Sequence, residues 1–94
     1  MNLHSVVKHA GLTDKEAKVY LSCLELGSSN VADISHRARI NRVTTYDVLE
    51  KLMAKGLVNS LTKKGVRFFD ATDPAIVAAD MKRREVEFRK ALPE

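Results

Sequence analysis

Thr45, Val48, Leu49 and Leu52 recur at i, i+3, i+4 and i+7, the spacing that lays one inward stripe along a helix. The stretch that holds them, NRVTTYDVLEKLMAKG at 41–56, predicts a helix bounded at both ends. Asn41 supplies an N-cap oxygen for a free first-turn N–H, and Gly56 supplies a left-handed stop. The opposite face opens with Arg42, Val43, Thr44, Tyr46 and Asp47. That mixture of charge, hydroxyl and methyl groups suits bases and phosphates, so the rest of the chain is read around this helix.

Upstream, Leu3, Val6, Val7 and Ala10 share one face of a short amphipathic helix at 2–10 that Gly11 ends. Leu12 precedes Thr13-Asp-Lys-Glu16, a capping box with a hydrophobic residue at N′. The helix it opens runs over 14–26 and stops at Gly27. Its polar residues Lys15, Lys18, Ser22 and Glu25 form one narrow stripe, and apolar residues fill the remainder. A helix so largely apolar is packed on several sides, which makes it the central helix of the domain. Cys23 lies on its apolar side, where it behaves as a small hydrophobe. Ser28-Ser29-Asn30 is a polar turn that caps a short helix at 31–38, with Val31, Ile34 and Ala38 inward. Arg39-Ile40 joins this to the helix at 41–56, and two short helices so closely linked form a helix-turn-helix.

After Gly56 the period changes. LVNSLT at 57–62 and VRFFDA at 66–71 read as strands, and Lys63-Lys64-Gly65 as a three-residue hairpin loop with Gly in the left-handed position. This hairpin is a wing with a basic tip. Phe68 and Phe69 point to opposite faces, one into the core and the other under the next helix or toward a partner chain. Asp73-Pro74 then starts a helix reaching about residue 92. Val77, Met81, Phe88 and Leu92 make an incomplete apolar seam, interrupted by Arg84 and Glu85, with Asp80/Arg84 and Glu85/Arg89 as supporting pairs. Little domain is left to cover that seam. It reads as a dimerisation helix with Leu3 and Val7 of the N-terminal helix beside it; the alternative is that it folds back on its own domain. The expected fold is mainly α with a small β-hairpin, a winged helix-turn-helix of order α-α-α-α-β-β-α. It divides into a DNA-binding domain at 1–73 and a C-terminal helix at 74–94.

Composition narrows the partners. The 94 residues are 45% hydrophobic and carry a net charge of +4, normal for one globular domain. The charge is unevenly placed. Between Ile34 and Phe69 stand eight cations (Arg37, Arg39, Arg42, Lys51, Lys55, Lys63, Lys64 and Arg67) and two anions (Asp47 and Glu50), while the remainder is net −2. Such asymmetry is the electrostatic footprint of a polyanion site; the bland alternative is a set of solvated faces. No apolar run reaches the ~18 residues needed to span a bilayer. The start of the chain is too short and polar for a signal peptide. One cysteine allows no internal disulfide, which makes a cytoplasmic location the expectation. His4, His9 and His36 have no metal-ligand spacing with one another or with Cys23, and the glycines build no phosphate loop. No catalytic constellation, metal or cofactor is expected, and the sequence names no small-molecule effector.

A helix fits the B-DNA major groove, where the early turns of the second helix of a helix-turn-helix reach base edges. Arg42 suits a guanine edge or a phosphate, and the sequence does not decide between them. Val43 and Thr44 offer methyl groups to thymine. Tyr46 can donate to a phosphate or serve in the core behind the wing. Ser29 and Asn30 open a helix whose N-terminus suits a phosphate. Arg39 and Asn41 flank the recognition helix, and Lys63, Lys64 and Arg67 place the wing on the backbone or in the minor groove. Lys51 and Lys55 come late on the helix and read as solvated. The expectation is a homodimeric, sequence-specific regulator on double-stranded DNA, with the helix at 42–55 in the major groove and the wing at 57–71 on the backbone. The rival readings are a winged-helix protein-interaction module without DNA binding and a nonspecific nucleic-acid binder.

Two runs, GLTDKEAKVYLSCLELG and VADISHRARINRVTTYDVLEKLMAKGLV, resemble the N-terminal winged-helix domain of TrmB-like transcriptional regulators over about residues 3–75. Their patterns, GLT-x-x-E-A-x-V-Y-L-x-x-L-x-x-G and R-x-x-x-Y-x-x-L-x-x-L-x-x-K-G-L-V, are specific together; related helix-turn-helix families share the second alone. The resemblance implies a dimeric transcription factor with DNA contacts at Arg42, Thr44 and Tyr46. It departs at Arg39, where the family usually has Gly; a positive φ there costs roughly 1 kcal/mol. Full-length members also carry a C-terminal effector domain, often sugar-binding; the 94 residues read either as a minimal regulator or as a piece of a longer one, and no sugar-binding role is carried over.

Overall fold

The computed structural model describes residues 7–93. Four helices are labelled here: α1 (Asp14–Leu26), α2 (Val31–Ala38), α3 (Arg42–Ala54) and α4 (Pro74–Ala91). Three strands complete the fold: β1 (Ser29–Asn30), β2 (Val58–Lys63) and β3 (Val66–Ala71). Residues 7–9 are helical, the end of the expected first helix, of which Leu3 and Val6 lie outside the described residues.

Each helix starts where a polar side chain replaces a missing intrahelical partner. Thr13 Oγ1 accepts from Glu16 N at 3.2 Å, and Glu16 Oε1 accepts from Thr13 N at 3.0 Å, closing the capping box. Asn30 accepts from Asp33 N at 2.9 Å, Asn41 from Thr44 N at 2.8 Å, and Asp73 from Ala75 N at 2.7 Å. At the far end of α3, Gly56 at φ 77° lets its N–H reach Met53 O at 3.0 Å and Leu57 N–H reach Leu52 O at 2.9 Å. The chain is thereby turned from helix into wing within two residues.

Glu16 does more than cap. It is buried, and Lys55 Nζ donates to its Oε2 at 3.0 Å and Oε1 at 3.3 Å. Lys55, expected to be solvated, is instead the link between the end of α3 and the start of α1. The backbone bond from Thr13, first, and then the Lys55 ammonium hold the Glu16 carboxyl below its ordinary value. A carboxyl with a depressed folded value stabilises the fold above its unfolded value and loses that contribution as pH falls. From about pH 4.5 downward, wild type is therefore expected to lose more melting temperature than Glu16→Gln. Parallel pH profiles for the two proteins would contradict this.

The sheet has the order β1-β3-β2 and is antiparallel throughout. Its register pairs Ser29 with Phe69 and Asn30 with Phe68 on one side, and Val58 with Ala71 through Lys63 with Val66 on the other. Two local expectations change. The polar stretch 28–30 is more than a turn, because Ser29 and Asn30 form a strand against β3. The wing loop has two residues, not three: Lys63 still pairs with Val66, leaving Lys64 (φ 51°) and Gly65 (φ 78°) as the turn. Two positive φ values match the right-handed twist of the strands better than an ordinary turn would.

The core lies where α1, α2, α3 and β3 meet. Val19, Tyr20, Ile34, Leu49, Leu52, Leu57, Val58 and Phe69 are all almost wholly buried, each contributing about 1.5–3 kcal/mol for the larger side chains. Tyr20 keeps its hydroxyl satisfied by donating to Thr72 O at 2.7 Å. Phe69 is the phenylalanine that enters the core, while Phe68 is half-buried on the other sheet face, paired with Asn30 and Leu61. Cys23 is fully buried, and burial pushes its thiol up to about 12, so it is an inert packing residue.

The seam on α4 divides. Val77, expected to meet a partner chain, is 7% exposed and belongs to its own core, with Ala78 and Met81 half-buried against it. Val7 packs on the same core. The start of α4 faces the end of α3 and the turn after it, with Val77 and Met81 beside Ala54, Gly56 and Leu57, before the helix runs outward. Beyond Met81 every described residue is exposed, Phe88 at 66% and Leu92 at 52%. Asp80 pairs with Arg84 at 3.0 Å and with Arg83, and Glu85 pairs with Arg89, which supports the outer turns as a solvent-borne helix.

Candidate nucleic-acid interface

The face of α3 away from the core is built by its own stripe. Thr45, Val48, Leu49 and Leu52 are buried, and Thr45 satisfies its hydroxyl by donating to Asn41 O at 2.9 Å. Helical geometry then sends Arg42, Val43, Tyr46 and Asp47 outward. All four are exposed, Val43 at 75%. Thr44 is half-buried beside them. Asn41 is exposed, but its side-chain oxygen is committed to the cap. Its amide N–H groups alone are open to a ligand.

Arg39 ends α2 with φ 57° and ψ 42°, so the position where glycine was expected keeps its left-handed backbone. Arg39 N–H donates to His36 O at 3.3 Å and Ile40 N–H to Ser35 O at 3.1 Å, and this closure aims α3 across α2. Arg39, Asn41 and Arg42 come together with Ser35 and His36 around one open concavity. His36 was weighed only as a metal ligand in the sequence; its signal was its place one turn before Arg39 on the outer face of α2. Arg39→Gly is expected to raise unfolding stability by roughly 1 kcal/mol by relieving the left-handed strain. It should weaken DNA binding at the same time, because a cation leaves the concavity. Denaturant titration and duplex titration of one variant measure both signs, and a change of stability in the opposite direction would contradict the strain.

Several expected contacts are engaged elsewhere. Ser29 is buried and its hydroxyl donates to Gly27 O at 3.0 Å. Its side chain is turned into the fold, in a strand. Asn30 spends its oxygen on Asp33 N, and the carboxylate of Asp33 stands in the first turn of α2. Arg67, expected as a wing cation for phosphate, is drawn inward instead. Its Nη1 donates to Glu50 Oε1 at 2.7 Å, and its guanidinium carbon lies 4.9 Å from the centre of the Phe69 ring. The Glu50 bond, first, raises its already high value, so it stays charged but occupied. Tyr46 meets the same Phe69 ring edge-on at 6.0 Å. Its ring supports the wing while its edge remains exposed, so the two readings of Tyr46 are compatible.

The eight cations between Ile34 and Phe69 sort accordingly. Arg37 pairs with Glu25, Lys55 with Glu16 and Arg67 with Glu50. Among the described residues, Arg39, Arg42, Lys51, Lys63 and Lys64 make no ion pair. All five are exposed. Four of them lie at the helix-turn-helix corner and the wing tip, and the late Lys51 is the fifth. Among the described residues, no group of three or more His, Cys, Asp or Glu side chains could hold a metal ion. No helix there is long and apolar enough to cross a membrane.

A helix-turn-helix with a basic-tipped hairpin braced along its second helix defines a winged helix. The family model described as "Sugar-specific transcriptional regulator TrmB" matches residues 7–75. The chain belongs to that family. It is 36% identical over 67 residues to the HTH-type sugar sensing transcriptional regulator TrmBL1 of Pyrococcus furiosus, which covers 71% of this chain and 19% of that protein. Among solved structures it is similar to TrmBL2, described as an archaeal chromatin protein with a novel mode of DNA binding. That match has a TM-score of 0.71 and 25% identity, covering 93% of this chain and 35% of the other. The ST1889 protein of Sulfolobus tokodaii matches with a TM-score of 0.67 and 20% identity over 93% of this chain and 98% of the other, a likeness of fold alone. The chain thus spans well under half the length of TrmBL1 and of TrmBL2.

Proposed function

We propose that this chain binds double-stranded DNA in a sequence-specific way as a homodimer and regulates transcription in the cytoplasm. The observation that carries the reading is the outward face of α3. There Arg42, Val43 and Tyr46 are exposed in its first two turns while the same turns bury Thr45, Val48 and Leu49. A 75%-exposed valine flanked by an arginine and a threonine suits the major groove, where thymine methyls and guanine edges are read side by side. Arg39 at the helix-turn-helix corner, with Lys63 and Lys64 at the wing tip, supplies the phosphate grip. Arg67 and Ser29 are not part of it. The exposed Ile76, Val86, Phe88 and Leu92 on α4 support a second copy as the other half of the reader. Two copies would address half-sites ~34 Å apart or a multiple of it.

Selection of bound sequences from a random duplex pool tests the reading, with sedimentation of the same protein for its oligomeric state. A shared motif with two-fold symmetry, bound by a dimer, is the expected result. A motif-free pool would transfer support to a second reading, general coating of DNA, which the likeness to the chromatin protein TrmBL2 favours. Absence of binding at low salt would leave the protein-interaction reading.

A further inference from the structure

Glu50 is an exposed acid on the helix proposed to enter DNA, and its carboxylate is engaged with the wing through Arg67. The wing beside it is poorly anchored. Val58 alone is buried in β2 and Phe69 alone in β3. Beyond the pairing of Phe68 and Phe69 with β1, the hairpin is a two-stranded ribbon open to water, with little rigidity of its own. Toward its tip, the side chain that reaches α3 is Arg67. Besides the bond to Glu50, its Nη2 donates to Ser60 Oγ at 3.3 Å and lies 3.5 Å from Met53 Sδ. The guanidinium is stacked over Phe69, whose ring takes the edge of Tyr46. Tyr46 and Glu50 are four residues apart and so stand on one face of α3. Hydrogen bond, ion pair and ring stack thus converge from three directions on a single planar group.

We infer that Glu50 is a positioning residue for DNA binding: by holding Arg67 it fixes the angle of the wing, so that Lys63 and Lys64 meet the backbone while α3 lies in the groove. The inference rests on the proposed DNA-binding reading. Folding stability is not its purpose. The pair is 54% and 33% exposed at its side chains, and exposed pairs add little to stability. What it gives is pre-organisation, a bound geometry that exists before the duplex arrives.

The sign of one substitution decides it. Asp47 is an exposed acid on the same helix with no ion pair among the described residues. On charge alone, both Asp47→Ala and Glu50→Ala should bind a random-sequence duplex more tightly, because each removes a negative charge beside phosphates. Asp47→Ala is expected to do so. Glu50→Ala is expected to bind roughly tenfold more weakly, with a salt slope shallower by about 1–2, the share of two wing contacts. Its melting temperature should fall by no more than about 4 °C. Lys64→Asn should weaken the wild type but add nothing to Glu50→Ala, because the wing is already disengaged. Tighter binding by Glu50→Ala overturns the inference and leaves the DNA-binding reading intact, as does additivity with Lys64→Asn. A wild type that binds no duplex overturns both.

Discussion

Replacing Phe69 with alanine is expected to cost about 3–5 kcal/mol of unfolding stability, the largest loss from any single substitution in the wing. Phe69 is fully buried and holds the middle of the sheet, paired with Ser29 on one side and Ser60 on the other. Its ring is also the surface on which Arg67 and Tyr46 rest. Truncation therefore leaves a cavity under the sheet and removes the floor of the brace. Phe68, one residue away and half-buried, is the internal comparison: Phe68→Ala should cost clearly less, on the order of 1 kcal/mol. Urea unfolding of the two variants measures the difference. Equal losses would mean that the sheet does not distinguish its two faces as described. A Phe69→Leu protein, with most of the volume kept, should recover much of the stability but not the ring stack. Its DNA affinity should then fall more than its stability does.

That contrast also marks where the sequence stops being informative. Period and capping are local, so the bounds of α1, α2 and α3 follow from Thr13, Asn30, Asn41 and the glycines without any knowledge of neighbours. That one of Phe68 and Phe69 faces inward follows from strand alternation, but which one does not; it is decided by the sheet face that α1 packs against, which no local pattern carries. The two-residue wing loop is hidden for a related reason. Lys64 stands at φ 51° in a place that usually takes asparagine or glycine, so its residue type gives no signal of the tighter turn. Val77 sits on a regular seam with Met81, Phe88 and Leu92, and only the position of the turn after α3, at Gly56 and Leu57, shows that the core claims Val77. The charge map changed most. Glu16 and Lys55 are 39 residues apart and Glu50 and Arg67 are 17 apart, separations at which a sequence gives no partner. Seen as a sequence, the central stretch has eight cations available; folded, the helix-turn-helix corner and wing tip keep Arg39, Arg42, Lys63 and Lys64. The loss matters for the proposed function, because it separates cations with no ion pair from cations that brace the fold.

Arg42→Ala and Lys64→Asn are expected to damage DNA binding in different ways. Arg42 is the first residue of α3 and exposed next to Val43, at the end of the helix that reaches base edges in helix-turn-helix proteins. If it reads a guanine edge, its loss should cost about 1–3 kcal/mol on the selected site and relax the preference at one base pair. Binding to unrelated duplexes should change little. Lys64 stands at the outermost turn of the wing, fully apart from α3, and carries its charge on a strained left-handed backbone. Asparagine tolerates that backbone, so Lys64→Asn removes the cation without loosening the turn. It should weaken every sequence alike and shallow the dependence of log K on log salt by about 0.9. Titrating each variant against the selected site and a scrambled duplex, at several salt concentrations, separates the two roles. Should Arg42→Ala weaken both duplexes equally and shift the slope as Lys64→Asn does, Arg42 is a phosphate clamp, and specificity then falls to Val43, Thr44 and Tyr46. Should Lys64→Asn alter base preference, the wing reads the minor groove, and the division between a reading helix and a gripping wing is wrong.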